Sequence, residues 1–148
     1  MPVASGCLAH PPLLFPTRAG CVRWKRIMTR KTTGIMGEKL ANRFLIERGY
    51  KVIETNYRCR DGEIDIIASK DDCLVFIEVR TKRSRLFGTP EESITPTKKE
   101  HLRAVANRYR ETHTDLPPSW RIDLVAVELG RTGQPQRIEL IENAVEDE

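Results

Sequence analysis

From Gly34 onward the apolar residues fall into periods that change along the chain. Leu40, Ala41, Phe44 and Leu45 recur at helical spacing, and Gly49 stands where a left-handed residue ends a helix, so the spacing predicts a helix from Gly34 to just before Gly49. Residues 50–58 then read as a strand, Arg60-Asp61-Gly62 as a turn, and Glu63 to Ala68 as a second strand. Ser69 to Asp72 turns the chain again and Leu74 to Arg80 makes a third strand, so the three should form an antiparallel meander. A basic loop over residues 81–90 leads to a second helix opening at Thr95-Pro96, with Thr97 and Glu100 offering a competing capping box. Leu102, Val105, Ala106 and Tyr109 share one face of that helix. After the Leu116-Pro117-Pro118 break, Trp120 to Glu128 reads as a fourth strand, with Arg137 to Ile141 an optional fifth at an edge.

Residues 1–33 show no such period. Scattered prolines and glycines predict a disordered, basic N-terminal extension, and its one apolar cluster, Leu13-Leu14-Phe15, is flanked by prolines and too short for a signal-peptide core. The plainest reading places the start of the folded protein's translation at Met28; an Arg-rich, acid-poor transit peptide is the lesser alternative. The expected domains are therefore the extension 1–33, a folded unit 34–142 and an acidic tail 143–148. A chain of 148 residues suits one such unit, and no apolar run approaches the ~20 residues of a membrane span, so a cytoplasmic location is expected.

Charge is uneven: residues 1–35 are net +6, residues 36–110 net +4 and residues 111–148 net −6. A basic front and middle suit a polyanionic partner, although many proteins without one share that balance. Cys7, Cys21, Cys59 and Cys73 form no C-x-x-C pair and only three histidines are present, which argues against a zinc finger and for reduced thiols.

Strand alternation places Leu74, Phe76, Glu78, Arg80 and Lys82 on one face of the third strand, with Val75, Ile77 and Val79 on the other. On the second strand Glu63, Asp65 and Ile67 should share a face opposite Ile64 and Ile66. If Asp65 and Glu78 meet on adjacent strands, two like charges converge, which a hard cation such as Mg²⁺ or Mn²⁺ between them would relieve. Such a metal can polarise a phosphodiester and activate water. Taken by themselves, the same residues read more readily as an exposed ladder in which Glu63, Asp65, Glu78 and Arg80 form salt bridges in solvent.

Four segments carry a family resemblance: Gly37-Glu38-x-x-Ala41, Gly62 to Ile67, Phe76 to Arg80, and Arg121-Ile122-Asp123. Together they resemble the YraN family, uncharacterised bacterial proteins placed among the restriction-endonuclease-like, or PD-(D/E)xK, proteins. The resemblance runs from about Gly34 to Glu128 and implies an α/β fold, an αβββαβ core with a central mixed sheet flanked by helices. It implies a metal-binding aspartate at Asp65, the acid of an E-x-K element at Glu78 and an additional helical carboxylate at Glu38. The departure is Arg80, where that pattern has lysine. A guanidinium stays protonated at ordinary pH, so position 80 can hold a phosphate but cannot act as a base; Lys82, on the same face, is the alternative.

Further candidates are weaker. Arg83 and Arg85 in the basic loop, and Lys98 and Lys99 at the start of the second helix, suit nucleic-acid contact, yet solvated surface cations read the same way. Glu63, Arg121 and Asp123 fit structural or supporting roles. The expected function is an Mg- or Mn-dependent endonuclease acting on DNA, including branched or otherwise structured DNA. A non-catalytic nucleic-acid-binding module and a protein-interaction adaptor are the alternatives, and the oligomeric state is not legible.

Overall fold

The computed structural model describes residues 29–83 and 88–146. Helix α1 (Arg30–Glu47) is followed by strands β1 (Lys51–Cys59), β2 (Gly62–Lys70) and β3 (Cys73–Lys82). A short 3-10 turn (Glu91–Ser93) leads into helix α2 (Pro96–Thr112), then β4 (Ser119–Leu129) and β5 (Pro135–Val145). The five strands form one sheet in the order β1-β2-β3-β4-β5. The first three are an antiparallel meander, β3 and β4 are parallel, and β5 returns antiparallel to β4. A parallel pair needs a crossover connection, and α2 supplies it. This is the αβββαβ arrangement of a restriction-endonuclease-like core, with β5 added.

Two cores, one on each face of the sheet, hold it together. On the α1 side Ala41 and Leu45 pack with Ile66, Val75, Ile77, Val79, Val125 and Val127. On the α2 side Leu102, Val105, Ala106 and Tyr109 pack with Ile64, Ile67, Leu74, Phe76 and Ile122. The central strands are thus covered on both faces, which excludes a sheet with one wet face.

Several boundaries differ from the pattern reading. Helix α1 starts at Arg30, capped by the Thr29 side chain, four residues before the expected Gly34. Its inward positions Thr33 and Gly37 are polar or small, so they left no apolar period to read. Residues 30–33 accordingly belong to the fold rather than to an extension; residues 1–28 lie outside the described residues. Strand β3 runs on to Lys82, shortening the basic loop, and residues 84–87, with the candidate Arg85, are also outside the description. The optional edge strand is eleven residues long and takes in residues 143–145 of the expected tail. Thr95 caps α2 by accepting from the Lys98 N–H, so the competing Thr97 box is not the cap. Between β2 and β3 the turn is Asp71-Asp72 alone, both at positive φ (49° and 57°), as a two-residue hairpin requires.

Helix α1 sits so close to β3 that a Cβ on Gly37 would lie 1.8 Å from Thr81 Oγ1, whereas one on Gly34 would meet nothing within 4 Å. Gly34→Ala should therefore raise stability by about 0.5–1 kcal/mol through helix propensity. Gly37→Ala should lower it by about 1–3 kcal/mol through overpacking. Urea denaturation of the two variants checks this: opposite signs are expected, and equal shifts would mean that α1 is not seated on Thr81.

Candidate functional site

The β2–β3 ladder is regular from Lys70–Cys73 to Ile66–Ile77. Beyond it the Val79 N–H is taken by a side chain: Asp65 Oδ2 accepts it at 2.8 Å. Alternation on β2 breaks at the same place. Ile64 lies in the α2-side core together with Ile67, while Ile66 lies on the α1 side. The expectation that Ile64 and Ile66 share a face is thus corrected. Opposite Asp65, at Asn56 of β1, the backbone adopts φ +54°, so both neighbours of Asp65 are irregular where its carboxylate leaves the ladder.

Glu78 follows the expected alternation, on the face of Leu74 and Phe76, and is only 4% exposed. Its Oε1 is 3.2 Å from Arg80 Nη2 and 3.2 Å from Lys98 Nζ. Its Oε2 is shielded from solvent and has no hydrogen-bond partner, and the same is true of Arg80 Nε. Burial, reinforced by the neighbouring Asp65 carboxylate and opposed by Lys98 and Arg80, pushes the Glu78 carboxyl up to about 7. Burial also raises Asp65 above the usual carboxylate range, against the pull of the Val79 N–H. Glu38 on α1 is raised as well, by burial first and Asp65 second, while a hydrogen bond with the Asn56 side chain opposes the shift. Glu38 and Asp65 line the same open cleft, of about 600 Å³, between α1 and β1.

The structure therefore brings Asp65, Glu78, Glu38, Arg80 and Lys98 into one neighbourhood at the end of the β2–β3 ladder. Lys98 is the surprise. Read from sequence as a nucleic-acid contact or a solvated surface cation, it reaches in from the first turn of α2, 23% exposed, onto Glu78. Lys82, the expected alternative lysine, instead donates to the Gly88 carbonyl at 3.4 Å and lines a small hollow with Glu128 and Gln136. Lys82 lies two positions beyond Arg80 along β3, which carries it past the carboxylates. Lys99 turns away towards Asn143 and Glu146 at the end of β5. Arg83 donates to the Arg131 carbonyl at 2.7 Å.

Glu63 is an exposed partner of Arg58 at 3.2 Å, so the exposed salt-bridged-ladder reading fits that pair; Asp65 is half-buried, and Glu78, though paired with Arg80, is buried. Asp123 is fully buried and receives Arg121 Nε at 3.1 and 3.0 Å and the Asn143 N–H at 2.9 Å. Arg121 continues to the Tyr50 hydroxyl at 2.9 Å and Glu142 at 3.3 Å. Both residues pair in register with Val75 and Ile77, on the face opposite Glu78. Their network ties β4 to β5 and to the start of β1 rather than touching the site.

Among the described residues no three His, Cys, Asp or Glu side chains form a ready-made metal cage. Magnesium does not ask for one: it is commonly held by one or two carboxylates, with water and substrate phosphate filling the other positions. Two neighbouring carboxylates that repel each other, Glu78 buried with an unfilled oxygen and Asp65 half-buried, fit a hard divalent cation on chemical grounds. The same donor set, all oxygen, does not fit zinc.

Residues 37–127 match the model of the uncharacterised protein family UPF0102. The chain belongs to the UPF0102 family, in agreement with its YraN-like motifs. Among similar UPF0102 proteins, that of Dehalococcoides mccartyi is 50% identical over 120 residues, covering 80% of this chain and 97% of that one. The Roseiflexus castenholzii protein is 48% identical over 120 residues, covering 80% and 96%. The Moorella thermoacetica protein is 44% identical over 117 residues, covering 79% and 98%. The matched residues take in Glu38 on the later part of α1, β2, β3 and the crossover to β4, hence every position that bears the carboxylates. The family name carries no activity. Among the described residues, no helix is long and apolar enough to cross a membrane.

Proposed function

We propose that this UPF0102 protein is a divalent-cation-dependent endonuclease acting on DNA, with Asp65 and Glu78 as the residues that hold the cation. One observation carries the reading: a glutamate buried beside an aspartate, with one oxygen paired to two cations and the other left without a partner. Burying an ionisable group in that state is unfavourable unless a ligand completes it. Mg²⁺ or Mn²⁺, when bound, supplies Lewis acidity toward the scissile phosphate and the attacking water.

The protein's own groups do the remaining work. Arg80, with an unfilled Nε–H beside a guanidinium nitrogen on Glu78, has the donor fork for a phosphate oxygen and the fixed charge to stabilise the pentavalent phosphorus. Lys98 opposes the upward shift of Glu78 and so favours its ionised, cation-binding form. Glu38 contributes a further acceptor at the cleft side of Asp65. Water forms the new bond to phosphorus and gives a proton to solvent, the bond to the leaving sugar oxygen breaks, and that oxygen takes up a proton from solvent.

The test is single-turnover cleavage of linear, flapped and four-way DNA with Mg²⁺ or Mn²⁺. Cleavage of at least one substrate, lost in EDTA and in Asp65→Asn, is expected. Binding without cleavage in every case would favour the non-catalytic module instead.

A further inference from the structure

The cleft that leads to Asp65 is basic for a reason the carboxylates do not explain. Its rim carries Arg30, Lys31 and Lys39 from α1 and Arg58 from β1, all exposed. Arg58 has Glu63 as a partner, but among the described residues Arg30, Lys31 and Lys39 form no ion pair. Four cations against the two carboxylates Glu38 and Asp65 leave the groove net positive, which favours a polyanion lying along it. Among the described residues the groove has no ring in its walls: its large apolar side chains are Ile35 and Ile66, and its uncharged polar ones include Asn42, Thr55 and Asn56. A surface built to stack single-stranded bases uses aromatic platforms. Cations interspersed with amides and a hydroxyl match phosphate and sugar oxygens instead. Asn42 Oδ1, shielded and without a partner, is one more polar group in this wall that the protein itself leaves unsatisfied. The basic track also continues, because Arg30 shares a second hollow with Thr33, Thr81 and Arg83 on the other side of the start of α1.

We propose that the α1–β1 groove is the track along which the sugar–phosphate backbone of a DNA strand reaches Asp65, bound without regard to base sequence. This deepens the nuclease reading and rests on it for the identity of the polyanion. It also adds α1 and β1 to the contacts expected from the chain pattern, which were Arg83 and Arg85 in the basic loop and Lys98 and Lys99 at the start of α2. Lys31 and Lys39 are exposed, so reversing them leaves both cores intact.

The experiment is fluorescence anisotropy of labelled single-stranded and duplex DNA of two unrelated sequences, in EDTA so that no cleavage intervenes. It compares the full chain with Lys31→Glu/Lys39→Glu and with the control Lys51→Glu/Lys70→Glu, an equal charge change at the far end of β1 and β2. The groove pair should weaken binding by about tenfold or more near 0.1 M salt and reduce the slope of log K against log salt by about 1.5–2. Both sequences should respond equally, and the control should stay within about threefold of wild type. Equal losses in the two variants would overturn the groove while leaving the nuclease reading to its cleavage test. Binding to one sequence only would overturn sequence-independent recognition. No binding of any DNA by the wild type would remove both readings.

Discussion

Glu78→Gln is expected to make the metal-free protein more stable above pH 7 while reducing cation-dependent cleavage by about 100-fold or more. The sign follows from burial. The folded-state carboxyl titrates near 7 instead of its ordinary 4.5, so the native state holds the proton more tightly than the unfolded chain does. Stability associated with the protonated form is fully present below about 4.5, falls as pH rises towards 7, and is absent above it. Glutamine never ionises and escapes that loss. At pH 8 the gain should be roughly 1–3 kcal/mol, less than the bare shift implies because glutamine also gives up the ion pairs with Arg80 and Lys98. At pH 4.5 the two proteins should be nearly equal. Chemical denaturation across pH, in EDTA, measures this directly. A Glu78→Gln protein destabilised at pH 8 would mean that Glu78 is a structural ion-pair partner rather than a site held in readiness for a cation.

Arg80→Lys should lower single-turnover cleavage by about tenfold, the worth of one charge-assisted hydrogen bond. Lysine keeps the charge but not the planar fork whose Nε–H stands free of partners. If position 80 had to take a proton from water, lysine would instead bring a several-fold gain, and the phosphate role would fall. Lys98→Ala tests a different link. Without its ammonium group on Glu78 Oε1, the carboxylate keeps its proton to higher pH. The rising limb of the cleavage–pH profile should move to higher pH by about one unit and return in Lys98→Arg. A lower rate with an unmoved limb would assign Lys98 to the substrate alone.

The elements of this fold were legible wherever one face of a segment was uniformly apolar. Phe76 and Glu78 were placed on a common face of β3 by alternation, and the α2 stripe from Leu102 to Tyr109 is the α2-side core. Alternation failed at Asp65, where the side chain replaces a backbone acceptor and the strand shifts, so that Ile64 and Ile66 face opposite cores. A period-2 rule has no means of anticipating a carboxylate that joins the ladder. The identity of the nearby lysine was missed for a related reason. Lys82 shares a strand face with Glu78, but Lys98 arrives from a helix sixteen residues further on, and only the crossover geometry brings it in. Arg30 and Lys31 were assigned to an extension because α1 rests on Thr33 and Gly37, whose small or polar side chains give no hydrophobic signal. The basic groove was invisible for that reason.

The most direct test of the account is a calorimetric titration of Mn²⁺ into the metal-free protein at pH 7.5, beside Asp65→Asn and Glu78→Gln, each shown to be folded. One binding event per chain in the wild type, lost in both variants, is the result expected if the two carboxylates hold one cation between them. Unchanged Mn²⁺ binding in both variants, or none in the wild type even with DNA present, would contradict it.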